Sequence, residues 1–165
     1  IQSLELELTS LNILIGSNGV GKSNFISFFK FMKKILDKDL QMYTAQQGGA
    51  NKILHFGKKN TDTISFELSL GFNTYKAVLL PTLDDKFIFS DEKTFCGYSP
   101  KNFLENNAGG IESKLPRFTE EPRDVNTYIA NYINDWKVYH FHDTSSTAKA
   151  KQTCNINDCT ILSAD

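Results

Sequence analysis

One octapeptide, Gly16-Ser17-Asn18-Gly19-Val20-Gly21-Lys22-Ser23, constrains this chain more than any other stretch. It sits where the hydrophobic pattern changes period. Upstream, Leu11 to Ile15 is an apolar run interrupted only by Asn12, as expected of a strand buried on both faces. Downstream from Lys22, the residues Ile26, Phe29, Met32, Lys33, Ile35 and Leu36 recur at helical spacing. No Pro or Gly interrupts up to Leu40, so one helix is expected over Lys22–Leu40. Phe25, Phe28 and Phe31 widen its apolar face, which predicts a largely buried helix.

Strand, glycine-rich turn and helix in that order match the P-loop pattern G-x-x-x-x-G-K-S in full. Each residue type has a physical reason. Glycines let successive backbone N–H groups converge on one anion. The positive end of the following helix adds to the same nest. Lys22 is placed to reach the β- and γ-phosphates of a nucleotide, and Ser23 to offer its hydroxyl to Mg²⁺, a cation that takes hard oxygen ligands. Candidate cofactor-binding residues are therefore Gly16, Ser17, Asn18, Gly19, Val20, Gly21, Lys22, Ser23 and Asn24. ATP and Mg²⁺ are the expected cofactors.

The rest of the chain supplies the setting. Ile1 to Leu8 alternates Leu4, Leu6 and Leu8 with Ser3, Glu5 and Glu7, a strand with one wet face. Gln46 to Asn51, with Gly48 and Gly49, is expected to be a loop. Ile64–Leu70, Thr74–Leu80 and Lys86–Ser90 form three strand-like runs joined by turn signals, an antiparallel meander. Glu92–Pro122 has weak periodicity and is expected to be mainly loop with short strands. Asp124–Trp136 returns to helical spacing, and Val138–Phe141 has the character of a buried strand. The domain plan is thus a single lobe over 1–165, with a P-loop strand and helix in 1–40, a meander in 60–90, and a helix and strand in 123–143. The fold class is α/β, with an antiparallel β-subdomain.

Composition narrows the function classes. The chain has 165 residues and is 40% hydrophobic, enough for a packed core and too apolar for disorder. A formal net charge of -1 gives no global signal for nucleic acid. Three cysteines, Cys96, Cys154 and Cys159, make no disulfide framework, which points to a reducing, cytoplasmic setting. No apolar run reaches the ~20 residues that span a bilayer.

Gly16 to Asn24 resembles the P-loop of ABC-type ATPase heads in the RecF and SMC group, where Asn18 and Asn24 are typical. More specifically, the chain resembles bacterial predicted AAA-family ATPases related to RecF and the OLD-type ATPases. Gly48-Gly49-Ala50-Asn51-Lys52-Ile53-Leu54-His55-Phe56-Gly57, Glu112-Ser113-Lys114-Leu115-Pro116 and Tyr139-His140-Phe141-His142-Asp143-Thr144-Ser145 carry that likeness along the chain. The resemblance implies the N-terminal lobe of a P-loop NTPase head, ABC/SMC-head-like, that binds ATP on one copy and closes against a second. It implies a homodimer in the full-length protein, with ATP hydrolysis there, and coupling to DNA maintenance or phage defence through DNA or a nuclease partner. With no apolar run long enough to span a bilayer, no membrane partner is expected. No Leu-Ser-Gly-Gly-like signature segment occurs in this sequence, and no strand is read as ending in the clean Asp-Glu pair that completes such a site. Asp143 is a candidate Mg²⁺ carboxylate and Gln152 a candidate γ-phosphate sensor, with Gln46 and Gln47 weaker candidates for the latter. His140, His142, Asp143, Cys154 and Cys159 are a candidate metal set whose spacing matches no common zinc pattern. Two other functions compete: a regulatory module that binds nucleotide without hydrolysis, and a small-molecule P-loop kinase, for which Arg117 and Arg123 are the only lid arginines available.

Overall fold

A computed structural model describes residues 1–97, 101–104, 106–116 and 124–138. The chain divides into two compact units, Ile1–Asp135 and Trp136–Asp165. Of the second unit only 136–138 are described, and they carry no helix or strand. The strand expected at Val138–Phe141 otherwise lies outside the described residues, as do His140, His142, Asp143, Gln152, Arg117, Arg123, Cys154 and Cys159.

The first unit is built on three strands: β1 (Ile64–Leu70), β2 (Asn73–Pro81) and β3 (Phe87–Cys96), paired antiparallel in chain order. This is the expected meander. Leu70 pairs with Asn73, so Gly71 and Phe72 alone make the first turn, and Gly71 has the left-handed backbone that a two-residue turn requires (φ 63). Leu68, Phe66 and Ile64 pair with Tyr75, Ala77 and Leu79, which places all six on one face of the sheet.

β3 is longer than its alternation suggests. The register slips between Val78 and Leu79, which pair with Asp91 and Phe89 and leave Ser90 over. The extra residue is a β-bulge, and it reverses the parity of everything after it. Phe87 and Phe89 are buried before the bulge, Glu92 and Thr94 after it. Strict alternation therefore ends at Ser90, where the expected strand stopped, while the real strand runs on to Cys96. Beyond Cys96, no short strand occurs in the described part of Glu92–Pro122.

Four helices occur among the described residues: α1 (Lys22–Leu36), α2 (Leu40–Gln46), α3 (Ala50–Ile53) and α4 (Val125–Asn134). The single helix expected to Leu40 is broken in two. Lys38 takes a left-handed backbone (φ 61), which no α-helix continues through. The expected Gln46–Asn51 loop shrinks to a short link, because α2 reaches Gln46 and α3 starts at Ala50. α4 ends at Asn134, before Trp136, and Asp124 opens it with a capping box to Thr127.

Only the C-terminal half of α1 is deeply covered. Phe31, Met32, Ile35 and Leu36 are buried, together with Ile129, Ala130 and Ile133 of α4. Fully burying each Phe, Met, Ile or Leu among them contributes about 1.5–3 kcal/mol. Edge-to-face rings continue the contact onto the sheet: Phe28 meets Phe66 at 5.8 Å, and Phe66 meets Tyr75 at 5.4 Å. Lys33 ties α1 to the end of α4 by donating to the Asn134 carbonyl oxygen at 2.8 Å.

The two strands expected at Ile1–Leu8 and Leu11–Ile15 do not form. Both segments are unpaired and exposed, with Leu11 77% and Ile15 91% accessible. A buried strand needs a neighbour on each side, and none reaches these residues among those described. The strand-like patterns were in the sequence; the pairing partner was not.

Candidate phosphate-binding site

The loop that opens α1 has the local geometry its glycines suggest. Gly19 and Gly21 are both left-handed (φ 87 and φ 100). Gly21 is the N-cap of α1, and no side chain caps the helix. The first-turn N–H groups of Lys22, Ser23 and Asn24 therefore stay open, as an anion site requires. Phe25 is the first to bond back, donating to the Gly21 carbonyl oxygen at 2.9 Å.

A cleft of about 450 Å³ lies here, lined by Asn18, Gly19, Gly21, Lys22, Ser23 and Asn24. Six of the nine expected residues thus share one concave surface. Of the other three, Ser17 and Gly16 form the wall behind Lys22, whose ammonium donates to their carbonyl oxygens at 2.7 and 2.5 Å. Val20 turns outward and is exposed. A Cβ at Gly16 would meet the Val20 Cγ2 at 2.9 Å, so the turn is tight there. The cleft offers one ammonium, one hydroxyl, two side-chain amides and the helix-end N–H groups. That inventory fits a polyphosphate: a point charge, hard oxygen and preorganised donors.

Among the described residues, no group of three or more His, Cys, Asp and Glu is placed to hold a metal ion. Gln46 closes α2 and Gln47 caps it; neither lines the cleft. Cys96 is a free, exposed thiol.

The two described segments that carried the family likeness have structural roles instead. In the first, Gly49 adopts φ 93 beside the β2–β3 turn, where a Cβ would lie 1.8 Å from the Asp85 Oδ2. Asp85 accepts from the Asn51 N–H at 3.0 Å and pairs with Lys58 at 2.6 Å. The Lys58 ammonium, then the Asn51 N–H, hold its carboxyl below the usual range. In the second, Glu112 accepts the Leu40 and Gln41 N–H groups at the start of α2, at 3.1 and 3.2 Å. Ser113 and Leu115 offer their carbonyl oxygens to Lys38.

Sequence reasoning missed the residue that organises this second segment. Glu92 is 1% exposed and accepts from the Tyr75 hydroxyl (2.7 Å), the Ser113 hydroxyl (2.5 Å), the Asn107 amide (2.5 Å) and the Lys114 N–H (2.9 Å). Burial, and then Glu92 beside it, pushes the Tyr75 hydroxyl well above its usual pKa. A lone Glu after a broken alternation gives no sign of this in sequence.

Among the described residues no helix is long and apolar enough to cross a membrane. No family model, curated protein or solved structure matches the chain.

Proposed function

We propose that this chain binds Mg-ATP on Gly16–Asn24. One observation carries the proposal: a complete G-x-x-x-x-G-K-S loop runs into an uncapped, 15-residue helix whose first residues, Lys22, Ser23 and Asn24, line one cleft. The β- and γ-phosphates would take the Lys22 ammonium from the loop carbonyls, and the α- and β-phosphates would take the N–H groups around Gly19–Ser23. Ser23 would give Mg²⁺ one oxygen, and phosphate oxygens and water the rest.

The wider role follows the resemblance to RecF-, SMC- and OLD-related ATPase heads. In that role the chain is the N-terminal lobe of a cytoplasmic, homodimerising P-loop NTPase. Hydrolysis then belongs to the longer, dimerised protein, where nucleotide state would govern a DNA-maintenance or phage-defence activity with DNA or a nuclease as partner.

Calorimetric titration of Mg-ATP into the intact chain and into Lys22→Ala tests the binding. A charge-assisted contact worth about 1.5–3 kcal/mol predicts about 10- to 150-fold weaker binding in the variant. Equal affinities, or no heat in the intact chain, would remove the proposal. Phosphate release on the same samples separates a hydrolase from a module that holds nucleotide as a regulatory ligand.

A further inference from the structure

The two borders of the sheet are treated differently. Along β3 the border is covered. Phe89 donates to the Gly110 carbonyl oxygen and accepts from the Gly109 N–H, both at 2.8 Å, and the Phe103 N–H donates to Thr94 at 3.1 Å. Along β1 no strand pairs with the outer border among the described residues. An uncovered border of seven residues is a template for extended chain. The core-side residues there, Ile64, Phe66 and Leu68, are only half-buried.

The N-terminal arm has the complementary deficit. Leu4, Leu6 and Leu8 sit at period two in the sequence and remain about half exposed. The arm has already folded back on itself. Thr9 and Asn12 close a turn, with the Asn12 amide donating to the Thr9 carbonyl oxygen at 2.7 Å. At the other end the Ile1 side chain lies against Gly21. The root of the arm is close to β1: Phe28, which meets Phe66, lies fewer than two helical turns along α1 from Lys22.

We infer that the arm closes onto the open border of β1 in the same chain, adding Ser3–Leu8 as a fourth strand. Leu4, Leu6 and Leu8 then extend the apolar face made by Ile64, Phe66 and Leu68, and Ser3, Glu5 and Glu7 lie on the wet face with Ser65, Glu67 and Ser69. The short tether favours the chain's own border over that of a second copy, because it fixes a high effective concentration. Closure also steadies Leu11–Ile15, the approach to the glycine-rich loop. That last consequence rests on the nucleotide proposal; closure itself does not.

Cysteine pairing tests the closure without nucleotide, so its failure and that of the binding proposal are separable. Glu5→Cys is combined in turn with Ser65→Cys, Glu67→Cys and Ser69→Cys, in a chain carrying Cys96→Ser, Cys154→Ser and Cys159→Ser. Glu5→Cys with Lys93→Cys on β3 is the control. At least one β1 pair is expected to form an intrachain disulfide about tenfold or more faster than the control, as strand neighbours within bonding distance do. No pair faster than the control, or only a disulfide-linked dimer, overturns the inference. Hydrogen exchange on the unaltered chain guards against folding defects in the variants. The β1 amides not bonded to β2 should exchange about tenfold or more slowly than in Leu6→Asp. Equal rates in the two chains overturn it as well.

Discussion

The segment around Glu92 and the segment around Lys22 both gather polar groups, with opposite outcomes. Around Glu92 four donors converge on two buried oxygens, drawn from β2, from the 106–116 segment and from that segment's backbone. Around Lys22 the first helical residues line an open cleft, and among the described residues the ammonium has the carbonyls of its own loop. The first arrangement is complete within the chain and holds structure together. The second has donors with no acceptor among the described residues, and in the proposed function a polyphosphate would supply it. Burial with every donor satisfied marks a structural node; exposure with donors aligned and unmet marks a binding site.

The largest effect should come from emptying the structural node. Glu92→Ala leaves the Tyr75 and Ser113 hydroxyls, the Asn107 amide and the Lys114 N–H without their acceptor. At about 1–3 kcal/mol for each donor that cannot find water, the loss should reach about 3–5 kcal/mol in urea unfolding. Glu92→Gln should cost less, since it keeps one acceptor oxygen. A loss under about 1 kcal/mol for the alanine variant would end the contrast between the two regions.

Gly49→Ala probes a second interior joint. Its positive φ and the clash with Asp85 together should cost about 1–3 kcal/mol, read from the urea midpoint. A neutral result would show that the β2–β3 turn gives way easily. Leu6→Ala samples the arm. On a closed but peripheral strand its truncation should cost about 1 kcal/mol, well below Glu92→Ala; no loss at all would mean the arm stays open in solution.

The smallest effect belongs to the surface pair Asp84–Lys86. The Lys86 ammonium, and then the Thr82 hydroxyl, lower the Asp84 carboxyl from 3.8 to about 2. A depressed carboxylate contributes stability above its ordinary pKa and loses it as protons bind. The contribution should therefore fade as pH drops from 3.8 toward 2. Lys86→Met should flatten the melting temperature over that window by a small amount, because water and salt screen the pair. Unchanged pH dependence would show that the pair contributes nothing there.

What sequence made legible was local. The meander, α4 and the apolar stripe of α1 each follow from a period within one short stretch, and the glycine-rich loop from a fixed spacing. The pattern failed where partners were distant or absent. The helix that the hydrophobic spacing would have continued ends before the left-handed Lys38, whose side chain bonds the Ser113 and Leu115 carbonyls, 75 and 77 residues away. Glu92 looked like the start of a loop because the bulge at Ser90 had broken its alternation. Ile1–Leu8 had the right alternation and Leu11–Ile15 the right apolar run, but neither has a neighbour among the described residues, and periodicity carries no record of which border a strand will meet.

The bulge also bears on how this chain should be aligned with others. Ser90 divides β3 into two half-strands of opposite phase, so one residue of length decides which side chains face the core. In a relative lacking that residue, an ungapped alignment would place a solvent-side position opposite Glu92 and report the buried acid as lost. A one-residue gap at Ser90 would restore the correspondence.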